Sequence, residues 1–167
     1  MSSVGKSLCR FAHPLLREVL SGEPATGERA RLHRAIVLAL EEMHRDDLGS
    51  YFSVLAYHSR ESAQTPQEID KAIDYSIRAG DAAAKALAIR EAVSCWDDAL
   101  QLNKQHQRDL PQRADILVRL GANHTLVGRE RQAVKDREDA LAICEQKGMT
   151  AKGSRRIGGC GDYYIWR

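Results

Sequence analysis

Residues 114–140 read ADILVRLGANHTLVGRERQAVKDREDA and residues 73–99 read IDYSIRAGDAAAKALAIREAVSCWDDA; set one above the other, they place Gly121 over Gly80, Ala133 over Ala92 and Ala140 over Ala99. The shared offset is 41 residues. Small side chains returning at a fixed interval of a few tens of residues mark stacked supersecondary units, each of which buries its apolar face only against its neighbours. Around them the apolar residues keep a three-to-four spacing. Ile69, Ala72, Ile73 and Ile77 line one stretch, and Ala92, Val93, Trp96, Ala99 and Leu100 line the next. That is the period of an amphipathic helix. The expected fold is all-α, made of antiparallel helix hairpins.

The same reading extends in both directions. Thr65-Pro66-Gln67-Glu68 has the form of a capping box with proline in the first turn, so a helix should begin there. Further helices are expected at 90–102, 112–127 and 130–146, with a polar, proline-containing connection over 105–113. Upstream, Phe52, Leu55, Ala56 and Leu48 give a helix within 48–62. Ala30, Leu32, Ile36, Ala39, Leu40 and Met43 give a longer one that Thr26 would cap and that should end near Asp46. A short helix is expected over 11–20 (FAHPLLREVL), with Leu15, Leu16, Val19 and Leu20 on one side, before the breaker cluster of 21–27. Glycines at 148, 153, 158, 159 and 161 end all periodicity, and 148–167 is expected to be a poorly ordered tail.

Counted from Ala114, Leu117 takes the fourth place, Leu120 and Gly121 the seventh and eighth, Ala133 the twentieth and Ala140 the twenty-seventh. This pattern closely resembles the tetratricopeptide repeat, with His124 and Arg137 standing where aromatic residues are usual. The 41-residue offset corresponds to the 34-residue unit of that family plus seven residues, which match the polar connection over 107–113. The resemblance implies a short right-handed superhelix over 48–147. It also implies a partner-binding groove lined by the first helix of each pair, here Asp74, Ile77, Asp81, Lys85, Asp115, Val118, Ala122 and Thr125. A chaperone-tail clamp would need Lys and Asn where Ile77, Asp81, Val118 and Ala122 stand, so that use is not expected. The stretches 11–20 and 28–36 resemble the helical segment of large bacterial signal-transduction ATPases, LuxR-type regulators and cyclase-linked AAA proteins among them. Residues 1–47 would then be a linker, and the chain a piece of a larger ATP-dependent switch whose nucleotide- and DNA-binding domains it does not carry.

Composition narrows the function by exclusion. Of the 167 residues, 25 are basic and 23 acidic, too near balance for a nucleic-acid or membrane surface set by field alone. No apolar run approaches the twenty or so residues needed to cross a bilayer. Cys9, Cys95, Cys144 and Cys160 show no zinc or disulfide spacing, so a reducing, cytoplasmic setting is expected, with no metal and no cofactor. Val4-Gly5-Lys6-Ser7 is only the end of a phosphate-loop motif, and no G-x-S-x-G turn occurs. His13, His33, His44, His58, His106 and His124 lack ligand spacing, and the charges of 28–34 read as a solvated face.

The expectation is therefore a non-enzymatic module that binds a protein or peptide. It could also self-associate through an apolar edge at its last helix, which a further repeat would otherwise cover. Trp96, at the twenty-fourth place of its repeat, is expected in the core. Replacing it with alanine should cost about 3–5 kcal/mol in a denaturant titration; a negligible loss would put the ring at the surface.

Overall fold

The structure is a computed structural model that describes residues 26–146. The helix expected over 11–20, the tail over 148–167, the Val4–Ser7 motif, Cys9, Cys160, His13 and the side chain of Thr26 lie outside the described residues. The described chain forms α1 (Thr26–Met43), a single 3-10 turn (Gly49–Tyr51), α2 (Phe52–Ser62), α3 (Pro66–Lys85), α4 (Ile89–Gln105), α5 (Leu110–Leu126) and α6 (Glu130–Gln146). No strand occurs among the described residues, and the all-α expectation holds.

The helix ends are set locally. At the start of α3 the capping box closes in both directions: Glu68 N donates to Thr65 Oγ1 at 3.3 Å, and Thr65 N donates to Glu68 Oε2 at 3.0 Å. Asp109 caps α5 by accepting from Gln112 N at 3.2 Å, and Pro111 fits the first turn, where no amide donor is required. Three helices end in the same paired-bond turn. Leu87 N donates to Ala84 O and Ala88 N to Ala83 O, and the pattern recurs at Gln107 and Arg108 and again at Gly128 and Arg129. Its central residue is left-handed each time, with φ of 61° at Leu87, 48° at Gln107 and 76° at Gly128.

These turns correct one expectation. The connection read as 105–113 is only 106–109, because α4 runs on to Gln105 and α5 already begins at Leu110. The residues beyond the 34-residue unit therefore lengthen helices rather than a loop. The 41-residue register is kept by the elements themselves: α3 and α5 end at Lys85 and Leu126, and α4 and α6 begin at Ile89 and Glu130.

Each helix packs on the next, so the chain is a one-directional stack with two joined clusters. Ile73, Val93, Trp96, Ile116, Leu117 and Leu120 centre the larger one, while Val37, Leu55, Tyr75 and Ala79 form the other. The closest approach is at Gly80, where a β-carbon would sit 2.6 Å from Trp96 Cδ1. At Gly121, 41 residues on, it would sit 2.9 Å from Arg137 Cγ. Helix-to-next-but-one ties run alongside: Arg34 with Glu68 at 2.6 Å and Lys71 with Glu41 at 2.6 Å join α1 to α3, Arg60 with Asp98 joins α2 to α4, and Arg119 with Asp81 at 2.9 Å joins α3 to α5.

On α1 the buried face differs from the one the spacing suggested. Ala30 and Val37 are buried and Leu40 is half-buried, but Leu32, Ile36 and Met43 are 55, 40 and 68% exposed and Ala39 is exposed too. The charged and polar side chains of His33, Arg34 and Glu41 take the inward positions instead, because α2 and α3 offer them Ser62 O, His58, Glu68 and Lys71 as partners.

Leu87 is 83% exposed and has no packing to lose, yet it holds a backbone conformation that a β-carbon disfavours. Leu87→Gly should stabilise the fold by about 1 kcal/mol, read as a higher urea midpoint. A lower midpoint would mean that the side chain contributes at this turn.

Candidate functional site

The eight residues read as groove-lining all lie on α3 and α5, the first helices of the two 41-residue pairs, and the structure puts them to different uses. Asp81 and Asp115 are brought together through a side chain that the sequence reading passed over, Arg119. Its Nε donates to Asp81 Oδ1 at 2.9 Å and its Nη2 to Oδ2 at 3.4 Å, while Nη1 binds the Asp115 carboxylate and, at 3.3 Å, the Asp115 carbonyl. Trp96 Nε1 adds a bond of 3.2 Å to Asp81 Oδ1. Arg119 is 15% exposed, so this cluster fastens the two pairs to each other rather than offering free charge to a ligand. Burial pushes the Asp115 carboxyl above its ordinary range, against the pull of Arg119 and with the help of Asp81.

The other six residues form the open part. Ile77 and Val118 are half-buried against the core, and Ala122 is half-buried. Asp74 pairs with Arg78 at 2.8 Å, one turn along its own helix. Lys85 is exposed, and Thr125 is exposed and accepts from Arg137 Nη2 at 3.2 Å. Ile77, Val118 and Ala122 are thus the half-buried apolar members of the set, and Lys85 and Thr125 its exposed polar ones. A shallow depression of about 450 Å³ lies elsewhere, between α1 and α3, bounded by Leu38, Glu41, Leu48, Lys71 and Tyr75.

The two residues that depart from the expected repeat pattern each make polar contacts of their own. His124 stands where an aromatic residue is usual and is 2% exposed; its Nδ1 lies 2.6 Å from Asp136 Oδ2 on α6, and Gln132 Nε2 donates to the other carboxylate oxygen at 2.8 Å. Its Nε2 is buried without a hydrogen bond and faces Asp97 of α4 at 4.0 Å. Burial pushes the Asp97 carboxyl up, against the pull of His124 and Arg129. Arg137 replaces the second aromatic residue: its stem covers Gly121 and its Nη2 donates to Gly121 O at 2.7 Å. Polar side chains with polar partners thus stand at both positions. The single signal for it in the sequence was a histidine and an aspartate on inward-facing repeat positions.

His33 and His58 meet across α1 and α2, Nδ1 to Nδ1 at 2.9 Å, with Tyr57 beside them. Among the described residues, no group of three or more His, Cys, Asp or Glu side chains is placed to hold a metal ion, and no helix is long and apolar enough to cross a membrane. No protein-family model matches the chain, and neither a curated protein nor a solved structure matches it.

Burial, and then the neighbouring His33, lower the pKa of His58 below its ordinary 6.5, with Glu61 opposing. The folded chain thus holds His58 neutral at a pH where the unfolded chain already takes up a proton. Its contribution is therefore complete above about pH 6.5 and declines as the pH falls below that value. The thermal midpoint should drop between pH 7.5 and 5.5, and His58→Gln should flatten that drop; an equal slope in both proteins would remove His58 as its source.

Proposed function

We propose that this chain is a non-catalytic protein-interaction module of the tetratricopeptide type, whose recognition strip runs along α3 and α5. The observation that carries the reading is the 41-residue register, kept at once by the glycines at close approach, by the left-handed residues Leu87 and Gly128, and by the starts of α4 and α6. A stack built by repetition exposes the same face of each first helix in series, and such faces form extended surfaces for peptides or partner domains. Continued in the same sense, the pairs would wind into the right-handed superhelix of that repeat family.

The composition of the strip specifies the partner further. Ile77, Val118 and Ala122 offer shallow apolar contact, Lys85 is an exposed positive charge at one end, and Asp74 is an acidic group already shared with Arg78. Asp81 and Asp115 are held by Arg119 and take no part in reading a ligand. The strip therefore suits a segment with small or branched apolar side chains and an acidic residue near Lys85, not a strongly basic peptide.

The test is affinity capture with the purified chain, followed by a binding titration of whatever protein is retained. Ala122→Arg, which raises a long charged side chain from the strip, should weaken that binding at least about tenfold, the equivalent of ~1.4 kcal/mol. Glu138→Arg, on the exposed side of α6, should leave it unchanged. Retention of a partner equally by both variants would remove the strip as the binding surface, and no retained partner at all would remove the interaction reading.

A further inference from the structure

The outward side of α1 carries a seam that is complementary to itself. Leu32, Ile36, Ala39 and Met43 are all exposed and follow at intervals of four, three and four residues, the spacing of a helix that seats against another helix. One step further in each direction, the same spacing meets two exposed charges: Arg29, three residues before Leu32, and Asp46, three residues after Met43 in the turn that closes α1. The seam thus runs from a cation through apolar side chains to an anion, and its intervals of three, four, three, four and three residues are the same in either direction. The other end of the described stack is built differently. There α6 sets Val134 and Leu141 among Arg131, Lys135 and Glu138 on its exposed side, the mixed polar surface suited to a terminal unit.

We infer that two copies of this chain pair through α1, antiparallel about a two-fold axis that passes between Val37 and Leu38. A closed homodimer uses one patch twice, so each contact must recur with the two copies exchanged. The symmetric spacing meets that condition. In this register Leu32 meets Met43 of the second copy, and Ile36 meets its Ala39, which lays a large side chain over a small one at the centre of the pair. Arg29 meets Asp46 of the second copy at both ends. The wider charge distribution favours the same alignment: the exposed charges at the start of α1 are Glu28, Arg29 and Arg31, and those around its end are Glu42, Arg45, Asp46 and Asp47. An antiparallel pair joins a net positive end to a net negative one, whereas a parallel pair sets like ends together. Arg29 is free to turn to this partner, because its pair with Glu61 at 3.2 Å lies at the surface and contributes little. The apolar part of the seam is about 16 Å long, with Val54 and Tyr57 of α2 exposed beside it. A contact this small supports association in the micromolar range. The pairing does not depend on the strip along α3 and α5.

Sedimentation equilibrium of the full chain across the micromolar range tests this. The expected result is a monomer–dimer equilibrium whose dissociation constant rises at least about tenfold in Leu32→Glu/Ile36→Glu and is unchanged in Val134→Glu/Leu141→Glu on α6. These positions are exposed, and an unaltered helical circular dichroism spectrum verifies that the fold is kept. The register is tested separately. Arg29→Asp sets carboxylates against each other at both ends of the pair, and Asp46→Arg sets guanidinium groups there, so each variant alone should dimerise at least about threefold more weakly. An equimolar mixture of the two should recover the strength of the unaltered chain, since every end then joins opposite charges. If Leu32→Glu/Ile36→Glu does not fold, the charge variants and their mixture decide by themselves. A chain that stays monomeric throughout would overturn the inference and leave the face to another occupant. So would a dimer that Leu32→Glu/Ile36→Glu leaves intact, or one that Val134→Glu/Leu141→Glu dissolves, which assigns the contact to α6. Single charge variants that dimerise as well as the unaltered chain would overturn the antiparallel pairing.

Discussion

A tryptophan ring occupies the space where residue 80 would carry a β-carbon, and the rest of the stack depends on that approach. With no side chain at Gly80, α4 comes in close enough for the Trp96 ring to sit against that residue of α3. The indole N–H then reaches Asp81, and Asp81 in turn receives Arg119 from α5. One missing methyl group thus connects the packing of a helix pair to the placement of the pair that follows. At Gly121 the same space is filled by the stem of Arg137, with the guanidinium returning to the Gly121 carbonyl. The close approach is kept while the chemistry changes, the space over the glycine being taken by an indole ring in one pair and by an arginine stem in the other.

The polar side chains inside this stack are distributed by the same logic. In a layer of long antiparallel helices, the contacts between a helix and its next-but-one neighbour are too distant for short apolar side chains and within reach of long charged ones. Arg34, Lys71, Arg60 and Arg119 each cross such a gap to a carboxylate. They give direction to the stack: a pair displaced by one helical turn would break several of them at once, whereas apolar contacts alone would tolerate the slip. His124, Asp136 and Asp97 do similar work across α4, α5 and α6, with one histidine nitrogen left without a hydrogen bond. Residues so engaged are poor candidates for ligand recognition, which leaves Ile77, Val118, Ala122 and the exposed groups near them to the proposed strip.

Much of the fold was legible along the chain, for reasons that can be located. The capping box at Thr65, the three-to-four spacing around Ile73 and Trp96, and the matching glycines at 80 and 121 act within one helix or one pair, so their spacing carries their meaning. The left-handed turns at Leu87 and Gln107 were not legible, since neither residue advertises that conformation. The hydrogen bonds to Ala83 and Asn103 impose it from outside the residue. The face of α1 was misjudged because apolar content was taken as the sign of burial. There His33, Arg34 and Glu41 share the inward side with Ala30 and Val37, and their partners on α2 and α3 have no counterpart in the local pattern. Of the candidate site, the positions on α3 and α5 followed from the repeat. That Arg119 would take up both Asp81 and Asp115 did not, because only Asp115 lies within its own helix at a spacing that signals a pair.

By itself the sequence determined the all-α class, the helix boundaries to within a few residues and the 41-residue register, since these depend on hydrogen bonds and side-chain periods that close over short distances. Tertiary structure alone decided which apolar stripe on α1 faces outward, which carboxylates are tied up by Arg119, and that His124 is buried against Asp136. Each of these joins residues on different helices, and their energies depend on distances that no single helix fixes.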